Sequence, residues 1–280
     1  MPDGLYIERD GHQTMLKWHR GHKQAGDISF TPERIAQGMA LGASVEVDLL
    51  CHSDGGFAVL HDETLDRATT GQGPVALASA ATLRGLSLRN ADGAPTHHRV
   101  MLLEELGHLL ATQPCGAGAV LQLDLKETAD RIGPREIAAF KAAIEPVAQH
   151  VILSCGDAKA VTLLADAVDD LPVGYDPCHD GAIERLLASR DFDGFVENAV
   201  NAIANTQMIY LEYRLILAAD DMGFDLVGAF HALGKRVDAY TIKTADAAAR
   251  AVVNRLLALR CDQITTDDPV GLEALVMGAS

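Results

Sequence analysis

The chain has few basic residues. It carries 23 Lys and Arg against 39 Asp and Glu, a formal net charge of −16. That deficit argues against a nucleic-acid backbone as partner, which would need a basic surface. It argues equally against electrostatic docking on anionic membranes. No apolar run reaches the roughly 18 residues needed to cross a bilayer, so no stable membrane insertion is expected. The first segment, Met1–Gly11, holds Asp3, Glu8, Arg9 and Asp10 and lacks the apolar stretch of a secretory signal. No C-x-x-C occurs among Cys51, Cys115, Cys155, Cys178 and Cys261. An odd, scattered set reads as free thiols in a reducing cytoplasm. There is no G-x-S-x-G, so a serine-hydrolase elbow is missing. Gly71-Gln72-Gly73 lacks the strand–turn–helix setting of a dinucleotide loop.

What is present is core material in a regular order. Hydrophobic residues make up 48% of 280 positions, enough for one α/β barrel or two small domains. The pattern predicts a strand over Thr14–Trp18, then a helix over Thr31–Gly42 with Thr31 as N-cap, Pro32 in the first turn and Gly42 at the stop. A second strand follows at Ser44–Leu50, a turn at Asp54-Gly55-Gly56 and a short return strand at Phe57–Leu60. Gly71–Val100 is rich in small residues, with one helical turn near Ser79–Leu86. So long a stretch without strong periodicity reads as a functional insertion.

Helix and strand then alternate. Helices are expected at Leu102–Ala111, Pro134–Gln149, Asp157–Val168, within Gly181–Ala204 with a break near Asp193-Gly194, and at Phe224–Leu233, Ala245–Leu259 and Val270–Val276. Strands are expected at Ala119–Leu125, Val151–Cys155, Pro172–Tyr175, Met208–Tyr213, Arg236–Ile242 and Asp262–Thr266. Gly194–Glu197 is an alternative sixth strand. Eight βα units predict an α/β protein of the (β/α)8 TIM-barrel class. We expect a single domain over 1–280, with a small insertion at about 65–100, after strand two, capping the site.

The chemistry concentrates in Trp18–Asp62. His19, Arg20 and Gly21 end the first strand, and His61 and Asp62 end the return strand. In Ser44–Leu50 the alternation puts Glu46 and Asp48 on one face. Two carboxylates so placed repel unless a cation lies between them. Oxygen-only ligation suits Mg²⁺ or Ca²⁺ over zinc. His19 and His61 are suited to an acid–base pair, one deprotonating a nucleophile and the other protonating the leaving oxygen. Arg20 is suited to gripping phosphate. Together these point to phosphoryl chemistry.

The order His19-Arg20-Gly21, Glu46-x-Asp48, Asp54-Gly55, His61-Asp62 and Leu65-x-Arg67-x-Thr69-x-Gly71 resembles the glycerophosphodiester phosphodiesterase family. The similarity continues through Gly174-Tyr175-Asp176, Val237–Thr241 and Thr265–Pro269. It implies a TIM barrel with an insertion after its second strand and one divalent cation. It also implies hydrolysis of a small-molecule phosphodiester, a glycerophosphodiester, to glycerol 3-phosphate and an alcohol, through a cyclic phosphate. It implies Asp124 as the third metal ligand, where the family has Glu, and Lys126 with Arg20 on the phosphate. Tyr240 stands where the family usually has Trp, as an aromatic wall for the substrate. The family's Glu-Asn pair in the first helix is Glu33-Arg34 here. The local order favours His61 as the proton donor. The same site could serve a sugar phosphodiester or a lysophospholipid, and a non-catalytic phosphodiester-binding barrel is the rival of another class. A homo-oligomer is left open.

Overall fold

The computed structural model describes residues 2–278. The chain opens with a hairpin, β1 (Tyr6–Arg9) antiparallel to β2 (His12–Trp18). Asp10 and Gly11 turn between them, both at positive φ, as a two-residue hairpin turn requires. The polar composition of Met1–Gly11 concealed β1, yet its Ile7 is buried. Strand β2 then begins the barrel.

Eight parallel strands close on themselves: β2, β3 (Ser44–Cys51), β7 (Val120–Leu125), β8 (Val151–Cys155), β9 (Val173–Tyr175), β10 (Thr206–Glu212), β11 (Arg236–Ile242) and β12 (Gln263–Thr266). Closure is made by β12 pairing with β2 and β2 with β3. The short β4 (Phe57–Val59) adds to β3 antiparallel. Every residue of β3 is buried, as expected of a strand covered on both faces.

Between the strands lie α1 (Pro32–Leu41), α2 (Ala80–Gly85), α3 (Leu103–Thr112), α4 (Pro134–Ile144), α5 (Ala158–Ala165), α6 (Ala182–Ser189), α7 (Phe192–Asn201), α8 (Tyr213–Asp221), α9 (Leu226–Ala232), α10 (Ala247–Ala258) and α11 (Pro269–Met277). Two large apolar clusters fill the space between strands and helices. A third, small one of Ile152, Met208 and Tyr210 sits apart from them. No helix is long and apolar enough to cross a membrane. All five cysteines are free thiols.

Several local expectations are corrected. Thr31 occupies the N-cap position of α1 but makes no capping hydrogen bond with its side chain. Gly42 does close that helix, in the left-handed conformation at φ 84°. Helix α4 ends at Ile144 and tightens into a 3₁₀ stretch over Glu145–His150. The break in the fifth helical region falls earlier than Asp193. Arg190 turns left-handed, and Asp191 restarts the chain by accepting the Gly194 N–H. Gly194–Glu197 therefore lies within α7. Tyr213 begins α8, because β10 passes into that helix without a loop.

The insertion holds more order than its composition suggests. Besides α2 it contains a hairpin, β5 (Ser87–Arg89) with β6 (Pro95–Arg99), turned by Asn90–Gly93. In β6 exposed and half-buried positions alternate with no apolar residue among them. No hydrophobic periodicity could therefore reveal it. Leu65, Val75, Leu83 and Leu88 anchor the insertion in the barrel's apolar cluster.

Candidate active site

The C-terminal ends of the strands carry the charged residues, as the barrel architecture leads one to expect. His19–Gly21 form a single 3₁₀ turn directly after β2, with Arg20 at φ 55°. This left-handed turn points the Arg20 backbone N–H at Glu46 Oε2, 2.8 Å away. On β3, Glu46 and Asp48 are both buried. The register pairs Asp48 with Asp124 across the β3–β7 ladder. One carboxylate oxygen from each of Glu46, Asp48 and Asp124 lies within 4.8 Å of the others.

Two cations hold this acidic cluster together. Arg20 Nε lies 3.2 Å from Asp48 Oδ2 and Lys126 Nζ lies 3.1 Å from Asp48 Oδ1. Neither contact has hydrogen-bond geometry, so both buried oxygens of Asp48 lack a hydrogen-bond partner. Buried carboxylate oxygens almost always find one. Three converging carboxylates, with unpartnered oxygens on the innermost, fit a hard divalent cation.

The electrostatics agree. Burial, then the neighbouring Glu46 carboxylate, pushes Asp48 up to about 6. Burial and Asp124 likewise raise Glu46. Burial alone would lower the Lys126 ammonium, but Asp124, Asp48 and Glu46 around it drive it well above its usual range. Burial pulls Asp124 upward, yet Lys126 and the Ser154 hydroxyl hold it low.

Both predicted histidines are oriented by carboxylates. His19 Nδ1 hydrogen-bonds Asp267 Oδ1, and its Nε2 lies 4.0 Å from Glu46 Oε2. Asp267 is a residue that sequence reasoning did not assign. Its signal lay in barrel closure. Thr266 pairs with Trp18, so the residue after β12 must flank the residue after β2. His22 joins the same group, with Nδ1 3.7 Å from Asp267 Oδ1 and Nε2 bonded to Ser29 at 2.9 Å. Burial lowers its pKa. His61 comes two residues after Val59, the last position of β4 to pair with β3. Its Nδ1 meets Asp62 Oδ1 at 2.8 Å, and Arg67 grips the same carboxylate through Nε at 2.6 Å and a terminal nitrogen at 2.7 Å. Arg67 and His61 hold the Asp62 carboxyl down at about 2.

Of the predicted set, His19, Arg20, Glu46, Asp48, Asp124 and Lys126 form one contacting group. His61 and Tyr240 make no direct contact with that group among the described residues. Tyr240 donates its hydroxyl to Asp176 Oδ2 at 2.7 Å. Burial, then Asp176, raises this phenol far above its usual range.

Beneath the site the barrel interior is polar. Ser154 donates to Asp124 Oδ1 at 2.9 Å, and Gln122 donates to Ser154 at 2.8 Å. Lys17 donates to Gln122 and pairs with Asp238 at 3.1 Å. The Lys17 ammonium also lies over the Tyr210 ring, 4.5 Å from its centre. These hydrogen bonds and the ion pair join side chains of four strands, β8, β7, β2 and β11, into one chain.

A parallel barrel that gathers three carboxylates able to hold a cation, two flanking basic residues and carboxylate-held histidines suits the hydrolysis of a phosphate ester. The glycerophosphoryl diester phosphodiesterase family profile matches residues 19–270, and the chain belongs to that family. No curated protein matches it in sequence. Among solved structures, it is similar to a glycerophosphoryl diester phosphodiesterase from Silicibacter pomeroyi, with 20% identity over 98% of this chain and 96% of that one, TM-score 0.66. The counterpart from Agrobacterium tumefaciens shares 21% identity over 95% and 98%, TM-score 0.68. A phosphodiesterase from Oleispira antarctica, solved with the product sn-glycerol-3-phosphate, shares 18% over 94% and 96%, TM-score 0.63. At these identities the structural likeness speaks for the fold.

Proposed function

We propose that the protein hydrolyses glycerophosphodiesters to glycerol 3-phosphate and an alcohol, using one divalent cation, Mg²⁺ or Ca²⁺. The observation that carries this reading is Asp48, buried with both oxygens unpartnered between Glu46, Asp124, Arg20 and Lys126. The product named with the Oleispira antarctica relative is the one expected here.

Glu46, Asp48 and Asp124 would hold the cation. When bound, it supplies neutralising charge for the phosphoryl oxygens. Arg20 and Lys126 turn toward those oxygens and fix the phosphodiester. Of His19 and His61, one removes the proton from the attacking hydroxyl and the other, by our reading His61, returns one to the leaving alcohol. Asp267 and Asp62 each occupy Nδ1, which leaves Nε2 of both rings for the proton transfer. Tyr240 lines the substrate side. The insertion at about 65–100 caps the mouth.

The attacking group is the substrate's own hydroxyl, which releases the alcohol and leaves a cyclic phosphate that water then opens to glycerol 3-phosphate. A hydroxyl on the carbon next to the phosphate ester is already within reach of phosphorus, an advantage on the order of 10⁵ M in effective concentration. Among the described residues, the thiols and the hydroxyl nearest Asp48 and Asp124 are poor rivals as nucleophiles. Burial pushes the Cys155 and Cys51 thiols up to about 12, so neither is a thiolate at neutral pH. The Ser154 hydroxyl is committed to Asp124. Glycerophosphocholine and its analogue with the adjacent hydroxyl methylated test this. The natural diester should turn over with transient cyclic glycerophosphate, and the blocked one should only inhibit. Similar rates for both would mean that water attacks directly.

A lipid substrate gains no support. Leu77 is the one large, well-exposed hydrophobic side chain of the insertion among the described residues, and one leucine is not an apolar rim.

A further inference from the structure

A cavity of about 480 Å³ opens directly off Asp124 and Lys126. Its outer wall is made by Asp157 and Lys159 at the start of α5 and by His179 and Asp180 in the loop before α6. His19, Arg20 and His61 do not line it. The attacking hydroxyl must lie against one of those two histidines. The arm of the diester that fills this cavity is therefore the other one, the departing alcohol. That arm needs only its ester oxygen near a proton donor, and the rest of it can extend outward. Charged walls of both signs suit a hydrophilic alcohol.

His179 is the positioned element of that wall. Its Nε2 lies 3.0 Å from Asp176 Oδ2, an ion-pair contact with the same oxygen that accepts the Tyr240 hydroxyl. Asp176 is itself steadied by the Cys178 N–H at 2.8 Å from Oδ1. The Cδ2 edge of the ring rests on Gly156. A Cβ at that glycine would come within 2.0 Å of His179 Cδ2 and 2.6 Å of Cγ. Gly156 does not have a left-handed backbone, so the space taken by the ring, not a turn, is what demands glycine there. The side chain is nevertheless 53% exposed, and Nδ1 has no protein hydrogen-bond partner among the described residues. A carboxylate orients this ring and a glycine clears room for it. A free surface histidine needs neither.

We propose that His179 is a substrate-contacting residue that binds the departing alcohol arm in this cavity through Nδ1. The inference rests on the phosphodiesterase reading above. The test measures kcat and KM for glycerophosphocholine, and Ki for glycerol 3-phosphate, which lacks the departing arm. The wild-type chain is compared with His179→Ala, His179→Gln and Gly156→Ala. Loss of one hydrogen bond predicts a KM about 3–10-fold higher in His179→Ala, with kcat little changed. Ki should stay at the wild-type value, and His179→Gln should recover part of the loss. Gly156→Ala, which evicts the ring while keeping it in the chain, should raise KM likewise. An unchanged KM in His179→Ala overturns the inference. So does an equal rise in KM and Ki, which would place the ring on the phosphate half. A fall in kcat and Tm with KM constant would make the role structural and overturn it too. Absence of turnover by the wild-type chain would instead overturn the phosphodiesterase reading, and this inference with it.

Discussion

His19 and His61 are both half-buried rings with Nδ1 taken by a carboxylate. The acid and base are told apart by what replaces them. His19→Ala and His61→Ala should each lower kcat about 10²–10⁴-fold, with cation affinity kept. A nitrophenyl leaving group should rescue the variant that lacks the proton donor, and we expect that to be His61→Ala. Near-wild-type kcat in either variant on a poor leaving group would remove that histidine from the proton path. Asp62 allows a second test at this scale. Its folded pKa, about 2, lies below the ordinary carboxylate value. A depressed acid contributes stability that is present above its unfolded pKa and lost as pH falls through the folded one. Wild type should therefore exceed Asp62→Asn by about 1 kcal/mol at pH 7, after solvent screening is counted. The gap should close between about pH 4 and pH 2. Urea melts of both proteins across that range check it, and a gap constant down to pH 2 would contradict the assignment.

At the scale of elements, neighbouring strands hold one another's side chains. Strand β8 contributes Ser154 to Asp124 on β7, and β2 contributes Lys17 to Gln122 on β7 and Asp238 on β11. The Ser154 hydrogen bond orients the Asp124 carboxylate. Ser154→Ala should weaken Mg²⁺ or Ca²⁺ binding about 10-fold or more by titration calorimetry, with Tm nearly unchanged. Undiminished affinity would show that Asp124 needs no support from β8. The elements that escaped sequence reading share a cause. Strands β1 and β6 are polar edge pieces, and α8 follows β10 with no turn signal between them. Periodicity identifies an element only where burial is one-sided and the boundary is punctuated.

For the whole molecule, the site is assembled from strand ends far apart in sequence, and its three carboxylates could hold a cation. Chelation should abolish turnover, and added Mg²⁺ or Ca²⁺ should restore it while raising Tm. A binding partner of the folded state alone must stabilise it. Full activity of rigorously metal-free protein would be incompatible with the proposed role of Glu46, Asp48 and Asp124.

Much of the site was legible because its pieces are local. Glu46 and Asp48 share a face through the two-residue period of a strand, and His19 and Arg20 follow an apolar run that any reader can see end. Eight βα units specify the barrel, since each strand must find cover on both faces. The partners of those residues were decided by closure. Asp267 reaches His19 only because β12 lies beside β2, 248 residues apart in the chain at that contact. Asp176 meets Tyr240 only because β9, β10 and β11 stand in that order around the barrel, whereas His179 lies three residues on from it in the same loop. The sequence by itself determined which chemical groups stand at the strand ends, for that follows from short-range periodicity. Asp62 beside His61 is a local partner, but Asp267 reaches His19 through the register between strands, and only the closed tertiary structure settles that.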